Sequence, residues 1–139
     1  MPSVDSLEAR SLVGLGVIEQ TVAFGSFTDN TDTTGFIDLT DTLPPGALVL
    51  GWRCRVKTGF TNDTTAVVQV GVAGDLDQFS ADVAQSVFTS GTIRCACPIA
   101  ADSGDDANAA ATVRVTVTGG ADFTSINAGE MTVTLWYLI

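Results

Sequence analysis

Much of this chain is written in period two. In "ATVRVTVT" (Ala111–Thr118), Val113, Val115 and Val117 alternate with Thr112, Arg114, Thr116 and Thr118. Successive side chains of a strand point to opposite faces, so this run predicts a sheet with one buried and one wet face. "TAVVQVGV" (Thr65–Val72) repeats the pattern, with Ala66, Val68, Val70 and Val72 on one face. The closing "MTVTLWYLI" sets Met131, Val133, Leu135, Tyr137 and Ile139 against Thr132, Thr134, Trp136 and Leu138. In "ALVLGWRCRVKT" (Ala47–Thr58), strict alternation puts Leu48, Leu50, Trp52, Cys54 and Val56 on one face and Arg53, Arg55 and Lys57 on the other. Further strands are expected at Val17–Phe27, Gly35–Leu39, Ser86–Thr89 and Thr92–Cys97.

Turn-forming stretches separate these runs: "TDNTDTTG", "TLPPGA", "TGFTNDTT", "AGDLD", "AADSGDDANA" and "GGADFTSINAGE". Short strands with turns every 8–12 residues or so point to an all-β fold, an antiparallel β-sandwich of jelly-roll-like form. No helical pattern of useful length follows residue 20; only "SLEARSL" (Ser6–Leu12) could form a short helix, with Ser6 as its N-cap. The first sixteen residues mix charge and leucine without alternation, so the expected organisation is an N-terminal arm, 1–16, and one sandwich domain, 17–139. The arm is read either as a segment that docks on a neighbour or as loose chain. A chain of 139 residues can bury roughly two-thirds of its unfolded surface, so it needs no metal or disulfide to fold.

Charge and side-chain chemistry narrow the function. Sixteen acidic residues against six basic ones give a net charge of −10, which argues against non-specific binding to nucleic acid or to an anionic membrane. No apolar run approaches the ~20 residues of a membrane helix. The N-terminus lacks a basic region before its apolar stretch and does not read as a signal peptide, so use without export is expected. The absence of histidine removes the usual neutral-pH base, the commonest metal ligand and every Ser-His or Cys-His nucleophile pair. Cys95 and Cys97, two apart, share a strand face and are poorly placed to bridge each other; with Cys54 they read as reduced, buried thiols. A zinc site would need ligands the chain does not supply.

Three stretches invite a chemical reading. "VVQVGVAGDLDQFS" (Val67–Ser80) combines glycines with two aspartates, but it lacks the lysine and following helix of a phosphate loop. A calcium site could draw on Asp75 and Asp77, helped by Asp63 or by Asp102, Asp105 and Asp106, yet the twelve-residue calcium loop is absent. A turn after a valine strand, at Gly74-Asp75, is the simpler reading. A glycosidase would need two carboxylates across a cleft, whereas Glu8, Glu19 and Glu130 are scattered and Trp52 and Trp136 fall on strands. The row Arg53, Arg55 and Lys57 must be wet or paired, because burying unpaired cations costs several kcal/mol each. It reads either as a solvated face or as a docking surface for an acidic loop, with "DSGDD" (Asp102–Asp106) of another copy the first candidate. Trp136 and Leu138, left on the second face of the last strand, would join it.

The order "TLPPGALVLGWRCRVKTGF", "TTAVVQVGVAGDLDQF" and a closing "ADFTSINAGEMTVTLWYLI" resembles the small head decoration, or cement, proteins of tailed bacteriophages, over residues 17–139. The resemblance implies a non-enzymatic β-sandwich or jelly-roll subunit with no catalytic residues and no cofactor. It would be made in the bacterial cytoplasm and would assemble as a homotrimer on the exterior of the phage head. Its partner would be the major capsid protein, and it would brace neighbouring capsomers. On that reading the trimer contact falls to Arg53, Arg55, Lys57, Trp136 and Leu138, and the capsid contact to Leu7, Arg10 and Leu12 of the arm. A phage tail or fibre subunit and a carbohydrate-binding module are the alternatives.

Overall fold

A computed structural model describes residues 14–80, 85–96 and 111–139. Among these residues the strands run in order: β1 (Gly16–Ala23), β2 (Thr28–Asp29), β3 (Thr34–Leu43), β4 (Leu48–Thr58), β5 (Ala66–Gly71), β6 (Gln85–Ser86), β7 (Gly91–Ala96), β8 (Ala111–Gly119) and β9 (Glu130–Leu138). They form two antiparallel sheets. A front sheet has the order β1-β9-β4-β7, and a back sheet the order β2-β3-β8-β5-β6. Leaving aside the two-residue β2 at one edge, each sheet has four strands, and the chain crosses between sheets at every step except β5 to β6. This is the double Greek key of a jelly roll, the sandwich that the alternation predicts.

The core lies where the two inner faces meet. Val113, Val115 and Val117 of β8 face Met131, Val133 and Leu135 of β9, all fully buried, with Ala66, Val68 and Val70 of β5 beside them. Phe24, Phe27, Phe60 and Phe123 stack near one end, with ring centroids 5.6–6.0 Å apart in the three contacting pairs. Offset and edge-on aromatic contacts of this kind close the sandwich where the strands run out.

Several predicted boundaries move. The strand expected at Ser86–Thr89 is only the two-residue β6, Gln85–Ser86, and the chain beyond it leaves the ladder. The first strand ends at Ala23, because the chain turns there into a 3₁₀ segment, Phe24–Ser26. The second begins at Thr34 and runs on to Leu43, past an irregularity opposite β8 between Asp38 and Thr42. The largest correction is in β4. Val49 pairs with Tyr137 and Gly51 with Trp136, so Leu50 is an extra residue in a β-bulge. A bulge shifts the side-chain phase by one. Val49 therefore joins Trp52, Cys54 and Val56 in the core, while Leu48 and Leu50 are exposed.

"VVQVGVAGDLDQFS" is structural. Val72 and Asp75 exchange backbone hydrogen bonds of 3.0 and 3.1 Å around Ala73-Gly74, so the turn dipeptide sits where expected. The chain then doubles back along β5. Phe79 N–H donates to the Val70 carbonyl at 3.0 Å, and the Ser80 hydroxyl accepts from Val70 N–H at 3.2 Å. Phe79 is buried, and its carbonyl accepts the Trp52 indole N–H at 3.1 Å, which satisfies the only polar atom of that buried side chain. Only glycine fits at 71: a Cβ there would stand 2.2 Å from the Asp75 carbonyl oxygen.

Candidate interaction surface

The outer face of the front sheet is a lattice whose rows can be read from the strand register. One row runs Glu19 (β1), Thr134 (β9), Arg53 (β4), Arg94 (β7), and the next runs Thr21, Thr132, Arg55, Thr92. Val17 and Trp136 are paired on one side of these rows, and Ala23 and Glu130 on the other. Beyond Trp136 lie Leu138 and its partner Leu48, with the bulged Leu50 alongside. The face is therefore divided. Its apolar end carries exposed Val17, Leu48 and Leu50 around half-buried Trp136 and Leu138. The rest of it carries four of the chain's six cations, Arg53, Arg55, Lys57 and Arg94, and among the described residues the acidic side chains beside them are Glu19 and Glu130.

Two of these cations reach carboxylates, at the limit of ion-pair distance: Arg53 to Glu19 and Lys57 to Glu130, each 3.8 Å. Glu19 also accepts the Thr134 hydroxyl at 2.9 Å, and the Arg53 guanidinium lies 5.5 Å from the centre of the Trp136 ring, where the apolar and cationic halves meet. The Arg53 Nε is buried with no hydrogen-bond acceptor among the described residues. Arg55 and Arg94 are exposed, and neither has an ion pair among the described residues. Arg94 stands directly opposite Arg53 across the β4–β7 ladder. Like charges in that position are unfavourable, so the sequence holds positive charge here against local preference.

The β4–β9 pairing thus places Arg53, Arg55, Lys57, Trp136 and Leu138 on one sheet face, and adds Arg94, Val17, Leu48 and Leu50 to them. Arg94 is visible in sequence as an alternating residue of "TIRCAC". Leu48 and Leu50 are hidden by the bulge. Leu7, Arg10 and Leu12, Asp102–Asp106 and Cys97 lie outside the described residues; of the other cysteines, Cys54 is buried in the core and Cys95 falls on β7 opposite Trp52.

The acidic loops have structural roles at the other candidate positions. Asp63 precedes the six-residue β5, and Asp75 and Asp77 follow it, so they sit at opposite ends of the sandwich and cannot share a cation. Asp63 accepts backbone N–H groups of Thr64 (2.6 Å) and Ala121 (2.9 Å), tying the β4–β5 loop to the β8–β9 loop. Asp32 accepts from Thr34, and Asp122 from Thr124, closing two turns at the same end. These accepted hydrogen bonds hold all three carboxyls below the usual carboxylate range: Asp63 through Ala121 and Thr64, Asp32 through the Thr34 hydroxyl and N–H, Asp122 through those of Thr124. With Asp29 nearby, this loop end is anionic. Among the described residues, no three Cys, Asp or Glu side chains converge as a metal site, and no helix is long and apolar enough to cross a membrane.

No protein-family model and no curated protein matches this chain in sequence. Its fold does have solved counterparts. A chain of the cyanophage Pam1 capsid asymmetric unit is 24% identical, with a TM-score of 0.56, over 100% of this chain and 99% of that one. A chain of the capsid of Ralstonia phage GP4 is 19% identical, with a TM-score of 0.57, over 89% and 83%. A chain of the acid-stable capsid of Helicobacter pylori bacteriophage KHP30 is 15% identical, with a TM-score of 0.53, over 91% and 88%. At these identities the likeness is one of fold.

Proposed function

We propose that this chain is a non-enzymatic structural protein of a bacteriophage virion, a decoration or cement protein that binds the exterior of the phage head and stabilises it. The observation that carries the reading is the end-to-end match of its jelly roll to a chain of similar length in a phage capsid, joined by two further phage-capsid chains of the same fold. The described side chains fit a part that docks rather than reacts. Among the described residues, Asp32, Asp63 and Asp122 close turns, and the loop that follows β5 is a plug for the core.

In this proposal the partner is the major capsid protein, and the N-terminal segment makes the contact through Leu7, Arg10 and Leu12. The chain assembles as a homotrimer through Arg53, Arg55, Lys57, Trp136 and Leu138. Joining three weak capsid contacts in one body raises their combined hold through effective concentration, without any single contact being strong. The chain would be made in the host bacterial cytoplasm and added to the head from outside.

The test is to add the purified chain to mature heads that lack it. The expected result is co-sedimentation with the heads and a rise in the temperature at which they release DNA. A variant lacking residues 1–14 should keep the sandwich's circular dichroism and lose head binding. Intact chain that stays in the supernatant would remove the proposal.

A further inference from the structure

We infer that the outer face of the front sheet binds a second copy of this chain head to tail, receiving the acidic loop end that carries Asp29, Asp32, Asp63 and Asp122. The inference rests on the assembly into oligomers proposed above, and it names which surface meets which.

Charge selects the mode of contact. The face holds Arg53, Arg55, Lys57 and Arg94 against Glu19 and Glu130, an excess of two positive charges in a chain whose net charge is −10. A two-fold contact through this face would bring together two copies of a patch with the same net positive charge, leaving more cations than carboxylates across the seam, and that apposition is disfavoured. The complement is present on the same molecule. Among the described residues, the loop end at Asp29, Asp32, Asp63 and Asp122 has no cation, and its Asp32, Asp63 and Asp122 are favoured in their ionised form by the hydrogen bonds they accept. Face and loop end thus form an unlike pair, a heterologous contact.

Geometry agrees. The face lies along the strands, and the loop end lies across their tips, so the two surfaces point in roughly perpendicular directions. Contacts between perpendicular patches can close a ring after a few copies rather than extend a filament. Exposed Val17, Leu48 and Leu50, with Trp136 between them and the cations, supply the apolar area that charge pairs alone lack. The directly opposed Arg53 and Arg94 are explained as well: a neighbour's carboxylates relieve a repulsion that the single chain leaves standing.

The test uses the chemistry of the only lysine, Lys57, and a conservative variant. Arg94→Lys keeps the charge and places an amine in the centre of the face. Carbodiimide treatment of mixed ¹⁴N- and ¹⁵N-labelled variant should then join the amine introduced at position 94 to Asp29, Asp32, Asp63 or Asp122 of a differently labelled copy, read by mass spectrometry. The Lys57–Glu130 link within one chain serves as internal control. In sedimentation, Arg55→Glu with Arg94→Glu should weaken self-association roughly tenfold or more while circular dichroism stays unchanged. A wild-type chain that remains monomeric, or links confined to one chain or joining two copies of the face, would overturn the inference. Because the assay contains no phage head, failure here leaves head binding standing, and failure to bind heads leaves this contact standing.

Discussion

On the back sheet one arginine is held from two sides; on the front sheet four cations share two carboxylates. Arg114 of β8 donates twice to Asp38, at 2.8 and 3.1 Å, and its guanidinium lies 3.8 Å above the Phe36 ring. Bidentate pairing and stacking use the planar fork as fully as a protein can, and the Asp38 hydrogen bonds raise the Arg114 pKa further. Arg55 and Arg94 have no such partners among the described residues, and Arg53 reaches Glu19 only at 3.8 Å. The same residue type in the same kind of position is satisfied internally on one sheet and left open on the other. A finished surface and a docking surface differ in this way, and substitutions on each should part company.

The widest separation is expected at the bulge that shapes the front face. If Leu50 is the extra residue, Val49→Asp places a charge in the core and should destabilise by several kcal/mol or prevent folding. Leu50→Asp should change stability by less than about 0.5 kcal/mol, while reducing self-association. Urea denaturation of both variants checks this. An unfolded Leu50→Asp would mean that strict alternation holds through β4 and that the exposed apolar end does not exist.

Arg114→Ala comes next. It removes a bidentate pair and a stacked ring but leaves both partners near solvent, so the expected loss is about 1 kcal/mol by urea denaturation. Self-association should not change. A weakened oligomer in this variant would show that the back sheet takes part in assembly and would erase the contrast between the faces. Arg94→Ser is the counterpart. Relief from the opposed Arg53 should leave stability unchanged or raise it by a few tenths of a kcal/mol. Its oligomer should be weaker and less sensitive to salt, measured by sedimentation across ionic strength.

How much of this was legible in the sequence depends on what each feature requires. Alternation in "ATVRVTVT" and "MTVTLWYLI" reports burial on one side directly, so β8 and β9 and their core valines follow from the pattern alone. Arg53, Arg55 and Lys57 follow in the same way. Leu48 and Leu50 do not, because a bulge is a property of two strands in register, and "LVLGW" reads as unbroken alternation until Tyr137 and Trp136 are set opposite. The role of Phe79 is illegible for a similar reason. Nothing local shows that a carbonyl after "GDLD" will meet the indole of Trp52, 27 residues earlier. The chemistry suggested by "GDLD" dissolves once β5 is seen to hold Asp63 and Asp75 apart.

The smallest effect should appear with acid. Asp32, Asp63 and Asp122 have folded-state pKa values below those of an unfolded carboxyl, about 4. A depressed carboxyl contributes stability that is present above the unfolded value and lost as pH falls through the folded one. Stability should therefore be flat from neutral pH to about 5 and decline below about 4. Asp63→Ala, which unties the two loops bridged through Thr64 and Ala121, should make that decline shallower, as followed by thermal melting from about pH 7 to about pH 2.5. The contact between copies should follow the same carboxylates. Because these stay ionised below the ordinary range, self-association should survive to lower pH than pairing with unperturbed aspartates would allow. An oligomer that dissociates between about pH 6 and pH 5, where these groups remain charged, would assign the contact to other residues and return the front face to a solvated surface.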